Sequence, residues 1–154
     1  MKPELINVLS PILLSKEEGL ERIKYLSEKY GTLPSDFISF SSRFYLHDGN
    51  DLQIGSSDDS FVNNLYSIAS SSDPDGIEEL NDYLEGEELL PCGCIAVASY
   101  FFFSMCFLRL SDGAVLKAYY HDLEYGDKLG NAKRLTKIAK SYSAFINSLS
   151  PLDD

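Results

Sequence analysis

The chain has 154 residues, 44% of them hydrophobic and 12% aromatic. That is enough for one domain with its own apolar core, so the chain is not of the disordered class and needs no metal or disulfide to fold. Its formal net charge of −11 opposes contact with nucleic acid and anionic lipid, and either suits a basic protein partner or serves solubility alone.

Three cysteines, Cys92, Cys94 and Cys106, do not suggest a secreted disulfide framework. The opening Met1-Lys2-Pro3-Glu4-Leu5 sets an acid close to its lysine, and no small-residue cleavage motif follows. The expectation is a chain without a signal peptide, in a reducing cytoplasm.

The first predicted helix starts at Ser15. Ser15-Lys16-Glu17-Glu18 is a capping box, in which the serine oxygen and the Glu18 carboxylate each satisfy an orphan backbone N–H. Leu20, Ile23, Leu26 and Tyr30 follow at helical spacing, and Gly31 supplies a left-handed stop. Pro34 suits the first turn of a second helix. On it Phe37, Phe40 and Phe44 share a face until residues 47–50, His-Asp-Gly-Asn, end it.

Residues 52–55 and 61–69 read as strands, separated by a polar turn at 56–60. Asp73-Pro74 marks a third helix start, with Asp73 as N-cap. Ile77, Leu80 and Leu84 form its stripe and Gly86 closes it.

Residues 89–108 carry no charge, and twenty apolar residues could cross a bilayer. Pro91, Gly93 and the polar residues Ser99, Tyr100 and Ser104 interrupt the run. It divides into two strands, 95–100 and 102–110, and strands buried on both faces read as continuous apolar runs. The expectation is no membrane span. Ser111-Asp112-Gly113 is a hairpin turn leading to a strand at 115–120. A long closing helix is predicted from Asn131, with Leu135, Ile138, Ala139, Tyr142, Phe145, Ile146 and Leu149 on its apolar face and Pro151 as stop. Hairpins with segregated helices indicate one α+β domain with an antiparallel central sheet.

This order of elements resembles the SUKH superfamily, the Smi/Knr-like fold. Leu33-Pro34-Ser35-Asp36-Phe37 is similar to the family's opening of the second helix. Leu90-Pro91-Cys92-Gly93-Cys94-Ile95 is similar to its lead into the central strands. Residues 108–115 resemble its central hairpin, Tyr119-Tyr120-His121-Asp122 its aromatic strand end, and the closing helix with Phe145 its last helix. The likeness spans residues 16–150. One departure is the turn between the first two central strands, rich in Gly and Asp in the family and here Ser99-Tyr100-Phe101-Phe102-Phe103-Ser104. The resemblance implies a single SUKH-like domain with helices packed on one side of the sheet. It further implies an immunity protein that neutralises a cognate polymorphic toxin, often a nuclease, by stoichiometric binding. The alternative it allows is a cytoplasmic regulatory scaffold.

Charge distribution points to where such a partner would dock. From Phe44 to Leu108 there is no Lys or Arg but twelve acids, among them Asp58, Asp59, Asp73, Asp75, Glu78, Glu79, Asp82, Glu85, Glu87 and Glu88. These ten are the candidate partner-binding residues. An acidic face can mimic phosphates and steer a basic toxin; a solvated helix face and loop would look the same. The aromatics Tyr100 to Phe103 fit a buried strand or an exposed anchor.

Lys128, Lys133, Arg134, Lys137 and Lys140 form a basic cluster in and before the closing helix, read as a solubilising or pairing face rather than a nucleic-acid site. Cys92 and Cys94 sit in an apolar run without the paired spacing of a zinc site, and read as buried structural cysteines. His47-Asp48 and His121-Asp122 read as caps. Asp73-Pro74-Asp75-Gly76 lacks the ligand spacing of a calcium loop. No nucleophile elbow or glycine-rich phosphate loop is present. The expectation is a binding protein without catalytic residues, metal or cofactor.

Overall fold

A computed structural model of the chain describes residues 1–46, 54–55, 61–65, 76–100, 104–119, 123 and 135–151, with residues 54, 61, 63, 64 and 100 described by backbone alone. The described elements, in chain order, are α1 (Pro3–Leu9), β1 (Ile12–Leu13), α2 (Lys16–Tyr30), α3 (Ser35–Ser41), β2 (Phe44–Tyr45), β3 (Ile54–Gly55), β4 (Phe61–Leu65), α4 (Ile77–Gly86), β5 (Cys94–Tyr100), β6 (Ser104–Arg109), β7 (Val115–Tyr119), β8 (Thr136–Ala139), α5 (Tyr142–Ser148) and β9 (Ser150–Pro151). The main sheet runs β8-β7-β6-β5-β4-β3-β9, antiparallel throughout, and β1 pairs with β2 apart from it.

The sheet's side chains alternate between two cores, as pleated strands require. Ile95, Val97, Cys106, Leu108 and Val115 face one core, which also holds Leu5, Leu26, Phe37, Tyr142 and Phe145 from α1, α2, α3 and α5. Ala96, Met105, Phe107 and Leu116 face the other, covered by Leu80 and Leu84 of α4 with Leu89 and Leu90. Four helices therefore lie on one face. α4 runs along the border, sending Ile77 into the first core and Leu84 into the second.

The charge-free run at 89–108 contributes β5 and β6, paired from Cys94↔Arg109 to Tyr100↔Ser104. No described helix is long and apolar enough to cross a membrane. The predicted capping box is formed: the Glu18 N–H donates to Ser15 Oγ at 3.2 Å, and the Ser15 N–H donates to Glu18 Oε2 at 3.1 Å. Gly31 ends α2 at φ +86°. In the β6–β7 turn, Asp112 accepts two hydrogen bonds from Arg109, at 2.9 and 2.6 Å, and one from the Ala114 N–H.

Four expectations are corrected. The second helix stops at Ser41, and Phe44 stands in β2 opposite Leu13. α1 and β1 precede the capping box, where no element was expected; Pro3 opens α1. α4 opens at Ile77 with Gly76 as its N-cap, rather than at Asp73. The long closing helix is two elements. Residues 136–139 pair with β7 as an edge strand, and α5 begins only at Tyr142, capped by Ser141 Oγ accepting from the Ala144 N–H at 3.0 Å. Lys137 therefore lies on β8 rather than on a helix. The caps proposed at His47-Asp48 and His121-Asp122, and the basic residues Lys128, Lys133 and Arg134, lie outside the described residues.

Candidate functional site: the acidic face of α4

α4 is placed by one buried amide. Asn81 is fully buried, and the Ala96 N–H donates to its Oδ1 at 2.7 Å. Its Nδ2 donates to the carbonyls of Ala96 at 3.1 Å and Ile77 at 2.7 Å. Among the described residues β4 pairs with β5 from Ala98 to Tyr100, and Asn81 supplies the partner for both backbone groups of Ala96. Ile77, Asn81 and Leu84 thus turn inward, Leu80 packs against the second core, and most of the charged positions are left outward.

Those outward residues are the acids. Glu79, Asp82 and Glu85 are exposed on the helix, and Glu87 and Glu88 on the turn that leaves it. Glu78 is half-buried, and Oε1 is shielded from solvent with no hydrogen-bond partner among the described residues. Burial raises its pKa, against the opposing pull of the Lys29 ammonium. Asp82 forms an ion pair with Lys29 of α2, and Lys29 also lies 5.3 Å from the centre of the Tyr30 ring. Of the predicted site residues, Glu79, Asp82, Glu85, Glu87 and Glu88 are therefore gathered on one exposed surface, while Glu78 belongs to the α2–α4 seam. Asp58, Asp59, Asp73 and Asp75 lie outside the described residues, as do Phe101, Phe102 and Phe103.

The aromatic member of this surface is Tyr83, 59% exposed. It sits four residues from both Glu79 and Glu87, the spacing that makes neighbours on a helix face. The sequence carries the signal, since Tyr83 falls between the stripe positions Leu80 and Leu84.

Three of the acids also sit where local electrostatics disfavours them. Glu78 and Glu79 suit the positive N-terminal end of the helix. Glu85, Glu87 and Glu88 stand at the negative end, and the last turn carries no basic residue. Glu88 further adopts φ +57°, a left-handed conformation that a side chain disfavours.

An open groove of about 670 Å³ begins beside these acids, between the end of α4 and the start of β5. Cys92 is exposed there, which corrects its reading as a buried cysteine, whereas Cys94 and Cys106 are buried. Burial pushes the Cys94 thiol up to about 11. Among the described residues no group of His, Cys, Asp or Glu is arranged to hold a metal ion. A second concavity, beside the β6–β7 turn, contains Asp36, whose carboxylate accepts from the backbone N–H groups of Phe37 and Ser143.

Residues 19–148 match the SMI1 / KNR4 family (SUKH-1). The chain belongs to this family. The match runs from the first turn of α2 to the end of α5, and so takes in the main sheet except β9, with α4 and the groove. No curated protein matches the chain.

Proposed function

We propose that this SUKH-1 family protein is an immunity protein, acting in the cytoplasm by stoichiometric binding of a basic cognate toxin through the exposed face of α4. The observation that carries the reading is Tyr83 standing between Glu79 and Glu87, with further carboxylates at a helix end that disfavours them. An aromatic ring within a polar, charged rim is the usual composition of a binding hot spot. Carboxylates around it complement a nuclease surface built to hold phosphates. Nothing in this role calls for catalytic residues, metal or cofactor, and a nucleic-acid ligand would meet the wrong charge.

The test is protection. Cells producing the toxin encoded beside this chain should survive with the wild type. They should die with the triple variant Glu79→Lys, Tyr83→Ala, Glu87→Lys, which leaves Asn81 and the Lys29–Asp82 pair untouched and should fold normally. Full protection by the folded variant would exclude this face. Recovery from native cells of a host protein instead of a toxin would favour the regulatory scaffold.

A further inference from the structure

We propose that the open edge of β1 pairs with the same edge of a second copy of this chain, joining two β1–β2 pairs into one four-stranded antiparallel sheet. Ile12 stands opposite Tyr45 and Leu13 opposite Phe44, and the Leu14 N–H donates to the Arg43 carbonyl at 2.9 Å. Hydrogen-bonded positions alternate along an antiparallel ladder. Ile12 and Leu14 therefore bond toward β2, and Leu13 turns its N–H and carbonyl to the opposite side. No other described strand pairs with β1. Ile12 and Leu13 are also 44% and 70% exposed. An apolar strand with an open edge is a template for a further strand.

Two features select a second copy as the occupant. The edge is its own complement, because across a twofold axis each Leu13 N–H meets the carbonyl of the other Leu13. The neighbouring outward positions offer no second register: Pro11 has no N–H, and the Ser15 N–H is held by Glu18 Oε2 at 3.1 Å. The other feature is charge. Residues 1–46 carry six basic and six acidic side chains, so the whole net charge of −11 lies beyond them. Two copies thus meet here on a neutral part of the chain, whereas through α4 acids would face acids. β1 lies just before the start of α2, and the Lys29–Asp82 pair stands in the last turn of that helix, about 20 Å further along. The α4 face is therefore remote from the shared edge. Strands of two residues bury far less than the roughly 1,200 Å² of a stable interface, so the dimer forms only at high concentration.

Sedimentation velocity from about 10 μM to about 1 mM should show the mean mass of the wild type rising toward that of a dimer. Leu13→Lys changes an exposed side chain and should melt as the wild type does. It should stay monomeric, because like charges would stand opposite each other across the axis. Added salt should strengthen the wild-type dimer, since it screens the repulsion between two acidic chains. A disulfide reports the register. With the exposed Cys92 removed as Cys92→Ser, and Cys94 and Cys106 buried, Leu13→Cys should cross-link two copies under mild oxidation. Residues opposed in a hydrogen-bonded pair lie about 5.5 Å apart, within disulfide range. Tyr83→Cys, on α4, should not cross-link. A wild type still monomeric at about 1 mM would overturn the proposal. So would a dimer undiminished in Leu13→Lys, a dimer weakened by salt, or equal cross-linking at both positions. Loss of toxin protection in Leu13→Lys beside a monomeric wild type would assign the edge to a strand of the toxin instead.

Discussion

Asn81 illustrates how much one side chain can carry. A buried amide makes three hydrogen bonds to backbone groups of α4 and β5 and so ties the helix to the sheet. Asn81→Leu would keep the volume and leave the Ala96 N–H and carbonyl buried without partners. Each such group costs about 1–3 kcal/mol, so chemical denaturation should show a loss of about 2–4 kcal/mol. Asn81→Asp should also be unstable near neutrality, because a carboxylate accepts from Ala96 but donates to neither carbonyl.

Glu78 makes the opposite case. Burial raises its pKa in the folded state, so ionisation is disfavoured there and counts against folding. With the folded pKa above the unfolded one, the penalty is absent below the unfolded value and is fully present once pH passes the folded value. Glu78→Gln should therefore raise the denaturation midpoint at about pH 7 and leave it unchanged near pH 3, where both forms are neutral. A lower midpoint at neutral pH would mean that the attraction of Lys29 and Arg22 outweighs desolvation.

At the scale of elements, local signals were legible wherever the chain itself supplied the partner. Ser15 and Glu18 cap each other, and Asp112 closes its turn onto Arg109 and Ala114; both were readable within a few residues. Residues 135–149 were not. Their apolar positions fit a 3.6-residue period, yet Thr136–Ala139 bonds to the open edge of β7, a partner distant in sequence. Ser141, which caps α5, was the local cue that the helix starts late. The outward placement of the α4 acids followed from the apolar stripe. The exposure of Cys92 did not, because it depends on the turn before β5.

The contact between α2 and α3 shows the same limit. Gly19 sits inside α2, where alanine would ordinarily be favoured by about 1 kcal/mol. A β-carbon there would lie 2.0 Å from the carbonyl oxygen of Ser42, so the end of α3 would have to move away. Gly19→Ala should therefore destabilise the protein by about 1–3 kcal/mol, the usual range for overpacking, despite improving helix propensity. A stabilised variant in denaturant titration would show that the two helices can separate freely.

At the scale of the whole molecule, charge is unevenly spread. The span from residue 44 to 108 holds twelve acids and no Lys or Arg, whereas residues 128–152 hold five basic residues and no acid. A net charge of −11 with this polarity produces a field that attracts and orients a cationic partner before contact. Long-range attraction of this kind acts on the encounter, and salt screens it beyond about 8–10 Å at physiological ionic strength. Contacts of Tyr83 that lose water on binding would act after the encounter and would be screened little. Binding of the partner recovered from cells should thus show an association rate that falls about tenfold or more between low salt and 0.5 M salt. Its dissociation rate should change much less, and rapid-mixing kinetics across a salt series would separate the two. An association rate indifferent to salt would mean that the acidity of α4 serves solubility alone, and that recognition rests on uncharged contacts such as Tyr83.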